Sequence, residues 1–148
     1  MSATFVPDDF DPPLSFQGPS FHLEPLGAVH NERDYEAWTS SIEHIRSTPG
    51  EWGTWPHPMT IEENLADLEA HAGEFVAREA FAYSVLDGKA VIGCLYINPD
   101  EEGGTDAHVR SWVRESRATM DRVVWSTVNA WLKEQWPFRS FRYAVRPD

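Results

Sequence analysis

The chain has 148 residues, 41% hydrophobic and 13% aromatic, which is one domain of ordinary size with enough apolar material for a core. Its formal net charge of −12 disfavours nucleic acid and anionic membrane as partners, and its one cysteine, Cys94, permits no intrachain disulfide. No apolar run approaches membrane-spanning length, and the acidic opening MSATFVPDDFDPP lacks the pattern of a secretory signal, so a cytoplasmic protein is expected.

Residues 1–19 carry four prolines, several acids and interspersed Phe5, Val6, Phe10, Leu14 and Phe16. Proline density argues against a helix, and the aromatics suggest an arm that packs on a single domain spanning 20–148. Residues 20–26, SFHLEPL, alternate and read as a first strand ending near Pro25. Asn31 is a good N-cap for a helix to about Arg46, with Tyr35, Trp38, Ile42 and Ile45 at helical spacing. The loop 47–58, STPGEWGTWPHP, follows from its Pro and Gly content. Thr60 and Glu63 form a capping box for a second helix, with Ile61, Leu65, Leu68, Ala72 and Phe75 as its apolar stripe.

The strand AFAYSVL, 80–86, and its partner AVIGCLYIN, 90–98, form a hairpin with Asp87-Gly88 as the turn. After the acidic loop DEEGGTD comes a third sheet element at 107–114. It alternates Ala107, Val109, Ser111 and Val113 with His108, Arg110, Trp112 and Arg114. Ser116 can cap a helix whose buried face is Met120, Val123, Val124, Thr127, Val128, Trp131 and Leu132, with Pro137 at its end. The segment 138–146, FRSFRYAVR, alternates again as a last strand. The order is β-α-α-β-β-β-α-β, an α/β (α+β) mixed sheet with helices on both faces. Its last strand–helix–strand unit should be a right-handed parallel crossover.

Charge is distributed unevenly. Residues 1–109 hold four Lys/Arg against twenty Asp/Glu, and residues 110–148 hold eight against four. Either surface arginines fall there by chance, or an acidic protein carries a local anion site. The histidines and the cysteine show no metal-ligand spacing, so no metal is expected, and no nucleotide loop or nucleophile elbow occurs.

Three stretches, FHLEPLGAVHNERDYEAW, FAYSVLDGKAVIGCLYINP and HVRSWVRESRATMDRVVWSTVNAWL, resemble the opening strand and helix, the central hairpin and the cofactor-binding strand and helix of the GNAT superfamily of CoA-dependent N-acetyltransferases. The resemblance covers roughly 20–146. It implies the GNAT-like fold, acetyl-CoA or another acyl-CoA as co-substrate and a small-molecule amine as acceptor. A backbone N–H near Trp112 or Val113 would polarise the thioester carbonyl. The family's glycine-bearing phosphate turn corresponds here to 114–121, which has no glycine. Arg114, Arg117 and Arg122 are therefore the candidate phosphate contacts, with Ser116 and Ala118 completing the turn.

His108 is the first candidate general base, with His57 and Glu51 next, and Tyr143 or Tyr96 are possible acids for the thiolate. Trp52, Trp55 and Tyr96 are candidate acceptor-pocket residues. The family normally continues past the last strand with a helix and two strands. Here the fold is truncated at the C-terminus, so a homodimer or the N-terminal arm is expected to cover the sheet edge. The rival readings are a non-catalytic GNAT-like ligand-binding or assembly module and an unrelated α+β binding domain with a Trp-lined cavity.

Overall fold

The computed structural model describes residues 4–147. Six strands form one sheet in sequence order: β1 (Phe16–Gln17), β2 (His22–Pro25), β3 (Phe81–Asp87), β4 (Ala90–Pro99), β5 (Ala107–Val113) and β6 (Phe141–Tyr143). Neighbours pair antiparallel except β5 and β6, which are parallel and joined through a long helix. The helices are α1 (Asn31–Thr39), α2 (Ile42–Ser47), α3 (Ile61–Val76) and α4 (Met120–Gln135). This is the mixed sheet that the alternating and helical patterns imply.

The sheet divides the core in two. On one face, Val124, Val128, Trp131 and Leu132 of α4 pack on inward residues of β3 to β6. The arm seals this face, with Phe16 4.9 Å from Trp131 and Phe10 5.0 Å from Trp136 between ring centroids. On the other face, Ala37 and Trp38 of α1, Ile45 of α2 and Leu68 of α3 pack with Trp52 and Trp112.

Local structure departs from the sequence reading at six places, one of them the last strand, expected over 138–146 and formed only by Phe141–Tyr143. The arm contributes a two-residue strand, β1, which pairs with β2 at the edge opposite β6. The helix expected over 31–46 is two helices, α1 and α2. The Thr39 and Ser40 hydroxyls donate back to Tyr35 O and Ala37 O, closing α1, because short hydroxyl side chains compete with the helical ladder. The hairpin turn is Gly88-Lys89, one residue later than expected, since Asp87 still pairs with Ala90 and Gly88 carries the positive φ of 61°.

Ser116 does not cap α4. Residues Glu115–Arg117 form a 3-10 turn first, and Thr119 at the N-cap makes no side-chain hydrogen bond. Val123, assigned to the inner face of α4, is 36% exposed.

One glycine is required by space. A Cβ on Gly93 would lie 2.1 Å from the Trp112 carbonyl oxygen, so β4 and β5 can approach this closely only without a side chain.

Candidate functional site

Strand β5 pairs with β4 along its whole length but with β6 only from Ala107 to Val109. Beyond Val109 the two parallel strands form no ladder, which leaves a wedge beside Ser111 and Val113. Arg114 donates its N–H to Ile92 O on β4 at 2.8 Å. Because successive residues of a strand face alternate edges, Val113 and Ser111 turn their backbone polar groups toward the wedge.

Arg146, 3% exposed, fills that wedge. Its Nη2 donates to Ser111 O at 2.7 Å and its Nη1 to Pro49 O at 3.0 Å and Ala144 O at 2.9 Å, while Nε donates to Asp121 Oδ2 at 2.8 Å. The guanidinium therefore reaches from the first turn of α4 to the loop after α2, through the gap in the sheet. Beside it, the Tyr143 and Ser111 hydroxyls share a 2.5 Å hydrogen bond. Burial raises the Tyr143 phenol above its ordinary pKa.

The arginines of the turn are engaged with the chain's own carboxylates. Arg114 donates through both terminal nitrogens to the two Glu36 oxygens, each at 2.6 Å, and Arg117 donates to Asp87 at 2.9 Å. The Arg114 bond holds the Glu36 carboxyl below its usual pKa. Arg122 lies over the Trp125 ring at 6.0 Å. Ser116 and Ala118 are exposed on the turn. The Glu115 N–H donates to Ser41 Oγ at 2.8 Å, which ties the turn to the break between α1 and α2.

On the opposite side of β5 lies a cavity of about 160 Å³. Trp52, Trp55 and Tyr96 wall it together, which brings the three sequence-predicted pocket residues to one place. Trp52 is fixed by its indole N–H bond to Thr48 O at 3.0 Å, and the Tyr96 hydroxyl accepts from Trp112 Nε1 at 3.0 Å. Asp34 of α1 also faces this cavity although it is only 4% exposed. Asn64 of α3 donates to Asp34 Oδ2 at 3.1 Å, and desolvation pushes the carboxyl up to about 6. Asn64 is itself held by Trp38 Nε1 and by Asn31. Arg110 closes one wall, its guanidinium 5.3 Å from the Trp52 ring and 5.2 Å from the Tyr96 ring.

Arg110 also lines a second opening of about 310 Å³, together with His108, Glu51 and Arg142. Burial, then the charges of Arg142 and Arg110, lower the His108 pKa and favour the neutral ring. His57 stands exposed with its Nδ1 against Pro58 O, outside both openings. Tyr143 lies across the sheet from His108, in the core that α4 covers. Of the five residues proposed for proton transfer, only His108 and Glu51 share an opening, and Tyr96 lines the aromatic cavity instead. Among the described residues no group of three or more His, Cys, Asp or Glu is placed to hold a metal, and no helix is long and apolar enough to cross a membrane.

Sequence reasoning missed Asp34, Asn64, Arg110 and Arg146. A signal existed for the first two. Asp34 stands four residues before Trp38, and Asn64 four before Leu68, so each shares a helical face with a core residue. Arg110 lies on the same strand face as His108 and Trp112. Nothing local marks Arg146.

Known structures share this architecture. One described as a ribosomal-protein-serine acetyltransferase from Vibrio cholerae superposes with a TM-score of 0.68 over 97% of this chain and 77% of that one, at 16% identity. An acetyl transferase from Salmonella typhimurium, which modifies the N-terminal serine of a 50S ribosomal subunit protein, gives 0.65 over 85% and 71%, at 13% identity. The fold is that of the GNAT acetyltransferases. A further GNAT-fold structure, Mycobacterium smegmatis RimJ in complex with CoA-disulfide, gives 0.62 over 86% of this chain and 63% of that one, at 14% identity. No protein-family model and no curated protein matches the sequence.

Proposed function

We propose that the chain is an acetyl-CoA-dependent N-acetyltransferase acting on a small amine by direct transfer. One observation carries this reading: β5 borders both openings that a transfer needs. Its edge turns the Val113 amide into the wedge, and its opposite side carries Arg110 and Trp112 beside the aromatic cavity. RimJ, of the same fold, is in complex with CoA-disulfide, which supports a CoA-based co-substrate.

Acetyl-CoA, when bound, supplies an acyl thioester on a phosphate-bearing carrier. The residues fit it in kind. The wedge offers backbone amides for a carbonyl oxygen, and Arg114, Arg117 and Arg122 stand at the turn before α4, where Arg114 and Arg117 would exchange Glu36 and Asp87 for phosphate oxygens. Space is the obstacle, because Arg146 fills the wedge, so binding requires its side chain to leave Ser111 and Pro49. The Val113 N–H would donate to a developing oxyanion, a contribution of about 3–4 kcal/mol to the barrier. Neutral His108 would accept the proton of the acceptor ammonium, and the protonated Tyr143 phenol would be the proton donor nearest the wedge.

The test is turnover: acetyl-CoA with a panel of primary amines, followed by release of free thiol. Thiol release that depends on the amine and falls at least about tenfold in His108→Ala supports the reading. No amine-dependent release, with no heat on titrating acetyl-CoA at low or high salt, overturns it. The bonding of Arg146 favours a second reading, a GNAT-fold module that binds a ligand without transferring an acyl group. It gains if acetyl-CoA fails to bind even after Arg146→Ala.

A further inference from the structure

The aromatic cavity contains an electrostatic imbalance that the transferase reading does not by itself explain. Asp34 is nearly inaccessible, yet among the described residues its only side-chain partner is the neutral amide of Asn64. That amide is immobilised by Trp38 and Asn31, so it cannot follow a change in the charge of Asp34. Taking a carboxylate out of water without a cation costs several kcal/mol, and its pKa of about 6 reflects that cost.

Arg110, the one guanidinium on the cavity wall, does not repay it. Its guanidinium rests over the Trp52 and Tyr96 rings and donates to the Glu51 carbonyl oxygen at 3.2 Å. The other ionisable wall residues are Asp67, at the exposed end of the cavity and of the same sign as Asp34, and His71, whose Nδ1 lies 3.3 Å from Glu74 Oε1 on its own helix. The cavity therefore presents indole faces, a surplus of carboxylate and Oδ1 of Asp34, which accepts from no described residue.

We infer that the cavity is a site for a primary ammonium ion on a compact apolar body, with Asp34 as its counter-ion and Trp52 and Trp55 as its walls. The volume sets the size of that body. A cavity of about 160 Å³ is close to the roughly 150 Å³ that accommodates a benzene ring. Indole faces attract cations as well as apolar groups, so the walls favour the ligand at both ends. Anionic acceptors are disfavoured by Asp34 and Asp67. A neutral molecule of the same shape leaves the buried carboxylate without a counter-ion, and that difference gives the selectivity.

This inference rests on the transferase reading only for the fate of the ligand, so its test omits the cofactor. Benzylamine, benzyl alcohol and phenylacetate are titrated calorimetrically into the full chain at a pH above 7. Benzylamine should bind about ten- to a hundredfold more tightly than benzyl alcohol, and phenylacetate should not bind. Asp34→Asn should reduce that preference to near unity while leaving benzyl alcohol binding unchanged, which separates loss of charge from loss of fold. Equal affinity for amine and alcohol in the wild-type chain overturns the inference, as does full preference retained in Asp34→Asn.

A short peptide with a free N-terminal phenylalanine serves as a further arm. Tighter binding than benzylamine, again dependent on Asp34, keeps the ammonium site and assigns its source to a polypeptide N-terminus. Ammonium binding without acetyl transfer would sink the transferase reading alone. Transfer to amines that is indifferent to Asp34→Asn would sink this inference alone.

Discussion

Arg146 and Asp34 are both charged side chains almost sealed from water, on opposite sides of β5, and the fold treats them differently. Arg146 has a carboxylate, Asp121, and carbonyl oxygens from three separate segments. Asp34 has one amide. Desolvation is costly for both charges, but in the wedge it is offset within the chain, whereas in the cavity it is left standing. A saturated buried ion acts as a tie between β5, β6, α4 and the loop after α2. An undersaturated one facing a cavity is poised for an outside partner. The wedge as it stands is structural, and the cavity is the proposed binding site.

The largest effect tests the seam between the two regions. Gly93→Ala places a Cβ against the Trp112 carbonyl oxygen, which belongs to backbone and cannot yield. We expect a loss of about 3 kcal/mol or more, read as a lowered urea midpoint or the absence of a cooperative transition. A variant as stable as the parent would show that β4 and β5 are not this close.

Next comes the tie itself. Arg146→Ala leaves Asp121 and the Ser111 carbonyl without their donor, and should cost about 3–5 kcal/mol. Asp121→Asn should cost less, since the carbonyl contacts of Arg146 remain. If the wedge is also the path for acetyl-CoA, both variants should bind it more tightly than the parent, in the same order as their loss of stability. Unchanged affinity in both would make the wedge a structural feature alone.

The cavity yields a pH signature. The Asp34 carboxyl moves from 3.8 to about 6 on folding. Between those values the folded state holds more protons than the unfolded one, so this group lowers stability as pH rises through that window, and the penalty is complete above it. Asp34→Asn lacks the penalty. Its stability relative to the parent should climb with pH across the window by up to about 3 kcal/mol and then level off. Cys94, Tyr96, Asp67, His71 and Arg110 surround the same space, so the measurement is the difference between the two proteins rather than either curve. A flat difference would mean that Asp34 is not desolvated as described.

The smallest effect concerns the turn before α4. Arg117→Ala removes a half-exposed pair with Asp87 and should change stability by less than about 1 kcal/mol. Its effect on acetyl-CoA affinity is the sharper measurement. A salt-dependent loss there and in Arg122→Ala would place the phosphates at the turn, and no loss in either would remove these side chains from the site.

Much of the architecture was legible because its signals are local. Thr60 and Glu63 form the capping box that starts α3, each accepting from the other's backbone N–H. The alternation of 107–113 sorted its side chains correctly between the two faces of the sheet. Trp52 and Trp55 could be nominated because the resemblance puts the acceptor pocket around the first two helices, and Trp52 serves the core as well as the cavity. What misled was short polar side chains whose local hydrogen bonding the hydrophobic pattern does not show. Ser40 and Thr39 look neutral in a helical pattern until their hydroxyls turn back on it. Ser116 has the chemistry of a cap but sits in a 3-10 turn instead.

Apart from β1 and the break between α1 and α2, the sequence alone determined the strands and helices, their order and the two-sided character of the sheet, since hydrophobic period and turn chemistry are properties of neighbouring residues. Tertiary structure decided which charges are neutralised. Arg146 meets Asp121 across 25 positions and Ser111 across 35, and Asp34 meets Asn64 across 30. Coulomb energy and desolvation depend on distance and on the surrounding medium, which only the folded chain sets.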